Sequence, residues 1–323
     1  MHKLLVFLIF TFMSNFLVQA QYTETINSNR PGNSQGAFAV GQGVLQFETG
    51  LRFGHDSHSL LNTETDNMGL DYALRFGFGF PELEVSLTGS YLIANQEIPY
   101  GAETMDFKYR NFESNTLGGK YLVYDPHKYR VYEKLNVRSY HANYRFRWRD
   151  LIPAVSVYAG ANLLFGENPY MFEDEPSISP KFALITQHNY LRWVFVMNFI
   201  VDKALTDYPT YAGIFTLTHS LNREFALFAE YQAIKSDIYS DDIARFGGAY
   251  LINQDFQVDL AGLINFKDTP SRWQVSVGLS YRLDFHTIDT PVIPKSEKKK
   301  QGTKEQNEGG RPKPEEVPGS PTP

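Results

Sequence analysis

The stretch Arg272-Trp273-Gln274-Val275-Ser276-Val277-Gly278-Leu279-Ser280-Tyr281-Arg282-Leu283-Asp284-Phe285 decides the fold. Its odd positions are all apolar or aromatic, and its even positions are all polar, charged or glycine. Successive side chains of a strand point to opposite faces, so this strand meets two different environments. Alternation in a half-buried soluble strand usually lasts about 4–8 residues. Here it lasts 14, longer than the roughly 9–11 that a tilted strand needs to cross a bilayer. Trp273, Tyr281 and Phe285 stand near the ends of the apolar face, where membrane barrels carry aromatic girdles. The pattern predicts an all-β fold, a transmembrane antiparallel up-and-down β-barrel.

The rest of the chain tests that reading. Its 323 residues carry a net charge of −6 and are 15% aromatic, with 25 Phe and 20 Tyr. Polar mean hydropathy does not exclude a barrel, because lipid-facing and lumen-facing residues average out. Mild acidity argues against a nucleic-acid partner. Residues 1–20 have the parts of a signal peptide: the basic start Met1-His2-Lys3, an apolar run from Leu4 to Leu17, and Ala20 before a plausible cleavage point. There is no Cys, so no disulfide is needed and no lipid anchor on an N-terminal Cys is available. No later run approaches 18 apolar residues, which argues against helical spans. An exported chain of this kind is placed in the cell outer membrane.

Residues 21–42 are polar and Gly-rich and read as a periplasmic N-terminal segment or plug. Residues 43–285 read as the barrel. Its strands are expected near Gly43–Phe53, Met68–Phe78, Leu83–Leu92, Thr116–Tyr124, Ala154–Phe165, Lys181–Tyr190, Arg192–Val201, Thr210–Thr218, Phe225–Ala233, Asp242–Leu251, Phe256–Ile264 and Arg272–Phe285. The total of about 12 is even, as single-chain bacterial barrels usually have it. The turn Phe80-Pro81-Glu82 is short and the polar connection Asn95–Ser114 long, the rhythm of long external loops and short periplasmic turns. The segment Asp125–Leu151 breaks that rhythm, with Arg138, Arg145, Arg147 and Arg149 interleaved with Tyr140, Tyr144, Phe146 and Trp148; packing at the rim or contact with lipid headgroups suits it. Residues 286–323, rich in Lys, Pro, Gly and Glu, read as a disordered periplasmic tail.

Several stretches resemble a known family. Arg30-Pro31-Gly32, Gly43-Val44-Leu45-Gln46-Phe47-Glu48-Thr49-Gly50, Arg75-Phe76-Gly77 leading into Leu83-Glu84-Val85, and Leu117-Gly118-Gly119-Lys120-Tyr121 are similar to the outer-membrane β-barrel family associated with phenol meta-cleavage pathways. Its members are usually described as transporters. The resemblance spans about residues 25–285, leaves out Asp125–Leu151 and the tail, and implies no catalytic residues. Separately, Ser276–Leu283 resembles the last-strand signal read by the barrel-assembly machinery, although here a tail follows it.

With the apolar face toward outer-membrane lipid, the charged residues assigned to the lumen are Glu48, Arg52, Asp71, Arg75, Glu84, Lys120, Lys181, Arg192, Glu230, Arg245, Asp259, Arg282 and Asp284. Glu48 should fall near Arg75 and Arg52 near Asp71, giving cross-strand ion pairs. The two signs nearly balance, so the bracing of the lumen outweighs a charged permeation path, and no one-sign ring argues for ion selectivity. Chemistry has few candidates. His55-Asp56 with His58 could bind a metal or form an acid/base pair, but a solvated loop is the simpler reading. His219-Ser220 cannot meet, because neighbours on a strand face opposite ways. His188 reads as an interfacial side chain, and Glu173-Asp174-Glu175 as an exposed acidic loop before a Ca²⁺ site. No catalytic residue, metal or cofactor is expected. The function expected is an outer-membrane channel or porin-like transporter for small molecules, hydrophobic or aromatic ones included. The alternative is an envelope scaffold or surface-binding barrel with an occluded lumen, acting through its external loops or tail.

Overall fold

The computed structural model describes residues 25–100, 103–126, 138, 151–164, 166, 168–171 and 175–285. The leader, most of Asp125–Leu151, Glu173-Asp174 and the tail therefore lie outside the described residues. Twelve strands close into one antiparallel ring in sequence order: β1 (Val44–His58), β2 (Thr63–Gly77), β3 (Leu83–Tyr100), β4 (Glu103–Tyr124), β5 (Ala154–Leu163), β6 (Ile178–Tyr190), β7 (Trp193–Asp202), β8 (Thr210–Ser220), β9 (Phe225–Lys235), β10 (Ser240–Asn253), β11 (Phe256–Asn265) and β12 (Ser271–Asp284). β12 is the opening stretch. It pairs with β1 from Val44↔Asp284 to Ser57↔Ser271 and removes the last free edge, as a bilayer requires of a spanning sheet.

Face assignment follows the alternation. Trp273, Val275, Val277, Leu279, Tyr281 and Leu283 of β12 are exposed on the outer wall, whereas Gly278, Ser280 and Arg282 are buried within. The same holds in β1, with Phe47, Leu51 and Phe53 outside and Gln46 and Glu48 inside. A closed wall with this apolar exterior and polar interior is an outer-membrane barrel.

Strand lengths depart from expectation. β1 and β2 run about five residues past the expected ends, to His58 and from Thr63. The polar connection Asn95–Ser114 is largely strand: β3 continues to Tyr100 and β4 starts at Glu103, paired up to Tyr100↔Glu103. β5 follows β4 only as far as Thr116↔Asn162, so the hairpin overhangs its neighbour. Outside the bilayer both faces of a strand can be polar, and the apolar signal stops before the hydrogen-bonded ladder does. A bulge between Ser90 and Tyr91 sets off the overhang.

Candidate lumen site

An irregular backbone has no ladder to satisfy its N–H and C=O groups, so each must find another partner when buried. Residues 26–40 meet this need by crossing the lumen and bonding to inward side chains around the ring. The Ile26 amide donates to the carbonyl of Gln254 in the β10–β11 turn (2.8 Å), and Arg75 Nη1 donates to the Asn27 carbonyl (2.7 Å). The Asn33 and Ser34 amides donate to the Glu230 carboxylate. Asn198 pairs with both backbone groups of Gln35, accepting from its amide (2.6 Å) and donating to its carbonyl (2.9 Å). Gln187 accepts from the Ala37 amide, and Ser156 donates to the Ala37 carbonyl. Ala37 also packs with Leu122, Ala154, Tyr158 and Ile185 in a small apolar cluster inside the barrel.

Arg30 is held most closely. Its Nε and Nη2 donate to the two oxygens of Asp259 at 3.1 and 3.0 Å. The guanidinium lies over Gly50 and Gly278, which face each other across the β1–β12 seam. A Cβ on Gly50 or on Gly278 would come within 2.3 Å of a guanidinium nitrogen, so only glycine leaves the slot open at both positions.

Charged residues of the lumen fall into two zones. Near the chain-terminal end, Arg75 lies between Glu48 (2.9 Å) and Glu84 (2.8 Å), and Lys120 reaches Glu84 at 3.2 Å; all four are buried. Lys120 also donates to the carbonyls of Gly36 and Phe38, and Glu84 accepts from the Val40 amide. This group is bound into the crossing segment. Toward the other end, Arg52 contacts Glu113 (2.5 Å) and Asp71 (3.7 Å), and Lys181 contacts Asp202 (3.3 Å); Arg245 contacts Glu230 (3.0 Å), which the segment also reaches through Asn33 and Ser34.

Two assigned residues lie elsewhere. Arg192 is exposed in the two-residue β6–β7 turn, where Leu191 takes a positive φ and the strand register is lost. Asp284 is exposed at the rim as the last residue of β12, opposite Val44. Arg282 is buried on the inner face of β12 and pairs with Asp255 of the β10–β11 turn (2.7 Å). His55 and Asp56 do not form a pair. His55 Nδ1 is 2.8 Å from Asp66, while Asp56 binds Arg272 at 2.9 Å, as opposite faces of one strand demand. His219 stacks on Trp193 at 4.0 Å, and Glu175 pairs with Lys203 at 2.6 Å.

Between the crossing segment and the outer rim lies a cavity of about 510 Å³. Residues 29–33 and Gln35 form its floor. Arg52, Asp71, Ser90 and Glu113 line one wall, from β1 to β4, and Ile200, Ala212, Ile214 and Ile234 line another, from β7 to β9, where Asn198, Asp202, Thr210 and Gln232 stand beside them. In a ring of twelve, β8 stands six places from β2, so the Arg52–Asp71–Glu113 group and the isoleucines face each other across the cavity. Two kinds of lumen residue escaped sequence reasoning. Neutral polar groups such as Gln187 and Asn198 hold the segment, and their signal was their place on the polar face of alternating strands. The inward isoleucines left less trace, because their neighbours along the strand are apolar too, as in Phe199-Ile200-Val201 and Ile214-Phe215.

A family model described as "Putative MetA-pathway of phenol degradation" matches residues 28–283. No curated protein matches the sequence. Among solved structures, an outer membrane channel from Pseudomonas putida F1 aligns with a TM-score of 0.49 and 8% identity, covering 78% of this chain and all of that one. The translocator domain of the autotransporter NalP from Neisseria meningitidis aligns at 0.44 and 10% identity, over 75% and 89% of the two chains. A mutant of the monoaromatic hydrocarbon channel TodX aligns at 0.39 and 10% identity, over 76% and 91%.

Proposed function

The chain belongs to the family described as "Putative MetA-pathway of phenol degradation", and from that premise we propose that it is an outer-membrane channel for the passive passage of small, hydrophobic or aromatic molecules. The observation that carries the reading is the two-walled cavity. At about 510 Å³ it has the size of a small-molecule site, and Ile200, Ile214 and Ile234 give an aromatic ring a surface that a purely aqueous pore lacks. The family description adds the aromatic character of the solute. Residues 26–40 lie across the route as a plug, and the slot holding Arg30 to the seam is its latch.

Planar-bilayer conductance and liposome flux test this. The wild-type protein is expected to pass small neutral aromatics such as benzyl alcohol, and Arg30→Ala to raise conductance by freeing the plug. Absence of flux from the wild type and from Arg30→Ala alike would sink the channel reading and leave the scaffold.

A further inference from the structure

Inward carboxylates of the lumen are mostly well partnered. Asp259 takes two hydrogen bonds from Arg30, Glu230 takes one from Arg245, Glu48 takes one from Arg75, and Asp202 faces Lys181 and accepts from Asn162. Asp71 differs. Its one ion-pair partner is Arg52 at 3.7 Å, and among the described residues its carboxylate accepts no hydrogen bond. Arg52 has been taken by Glu113, at 2.5 Å, and Glu113 also accepts from Ser90 (3.0 Å). Two carboxylates thus share one guanidinium, and both open onto the cavity, Asp71 with its side chain 31% exposed and without a hydrogen bond of its own. Across the cavity stand Ile200, Ala212, Ile214 and Ile234.

We propose that this cavity is a binding site for small amphipathic organic cations, with the ammonium head on Asp71 and the apolar body against the β7–β9 wall. The inference deepens the channel reading and rests on it only for the solute's route of access. A neutral hydroxyl would supply Asp71 with a hydrogen bond but leave the Arg52–Asp71–Glu113 group with one more carboxylate than guanidinium. An ammonium supplies both, as a charge-assisted bond in a partly desolvated site. A carboxylate head of the same size would meet two like charges at Arg52, while the other cations that line the cavity, Arg30, Lys181 and Arg245, are each held by a carboxylate of their own, Asp259, Asp202 and Glu230. The opposed walls require head and body to lie on opposite ends of the solute, which excludes compact inorganic cations as good ligands.

Titration calorimetry of the full-length protein in detergent, with benzylammonium, benzyl alcohol and benzoate at one ionic strength, tests the site. Benzylammonium is expected to bind about tenfold or more tightly than benzyl alcohol, with benzoate weakest. Asp71→Asn should bring benzylammonium down to the affinity of the alcohol, and Asp71→Glu should keep the preference. Equal affinity of amine and alcohol, a preference unchanged in Asp71→Asn, or no binding of any of the three by the wild type would overturn the inference. The wild-type comparison decides even if Asp71→Asn fails to fold. Flux of benzyl alcohol into liposomes without amine preference would remove this site alone. Amine binding without any flux would remove the channel and keep the site.

Discussion

Two lysine–carboxylate pairs sit in the same lumen at nearly the same length, and they do different jobs. Lys120 is 3.2 Å from Glu84 and Lys181 is 3.3 Å from Asp202. The first pair has side-chain exposures of 1% and 2%, the second of 25% and 27%. Lys120 and Glu84 also bond to the backbone of Gly36, Phe38 and Val40. Distance alone therefore says little about role. Where the crossing segment excludes water, a charge pair is part of the wall. Where the cavity admits water, the same chemistry is loosely held and open to a solute.

The largest expected effect breaks the inner pair. Lys120→Met leaves Glu84 buried with Arg75 as its one remaining cation and strips two carbonyls of the segment of their donor. Removing one partner of a buried pair costs about 3–5 kcal/mol. Urea unfolding of the folded barrel, followed by heat-modifiable gel migration, should show that loss; a change within about 1 kcal/mol would mean that the segment does not seal this end. Next comes the outer wall. Val277→Lys puts a charge on the exposed face of β12 near mid-strand, and its expected cost is about 2–4 kcal/mol at the bilayer midplane. Unchanged stability in lipid would mean that this face does not meet acyl chains.

A smaller effect is expected at the seam. Gly278→Ala places a Cβ 2.3 Å from Arg30 Nε, which forces the guanidinium to shift. Overpacking of this kind costs about 1–3 kcal/mol, and the displaced latch should raise single-channel conductance. If stability falls while conductance stays the same, Arg30 holds the segment without controlling passage.

What the sequence disclosed and what it hid follow from the range of each signal. Strict alternation in β12 named the fold and the lipid face, because a period of two is local. Glu48 with Arg75 and Arg52 with Asp71 were also within reach, since one hairpin turn sets their register. The Arg30 slot was not. It needs Gly50 opposite Gly278, and that register exists only once the first and last strands have closed. The path of residues 26–40 was hidden for a related reason: a segment without periodicity owes its conformation to the side chains that receive it. The overhang of β3 and β4 was missed because a strand that leaves the bilayer no longer alternates in polarity.

The smallest stability effect returns to the outer pair and completes the comparison. Lys181→Met removes a side chain that is a quarter exposed, facing a carboxylate that keeps its bond from Asn162 (2.6 Å) and the Lys203 amide (2.9 Å). Solvated pairs contribute roughly 0–1 kcal/mol, so the unfolding midpoint should barely move. Permeation should respond instead. With Lys181 gone, Asp202 loses its ion-pair partner and the lumen gains one net negative charge, so the reversal potential in a salt gradient should shift toward cation selectivity. A large loss of stability with unchanged selectivity would place Lys181 with the inner network, and the division of the lumen would then follow something other than access to water.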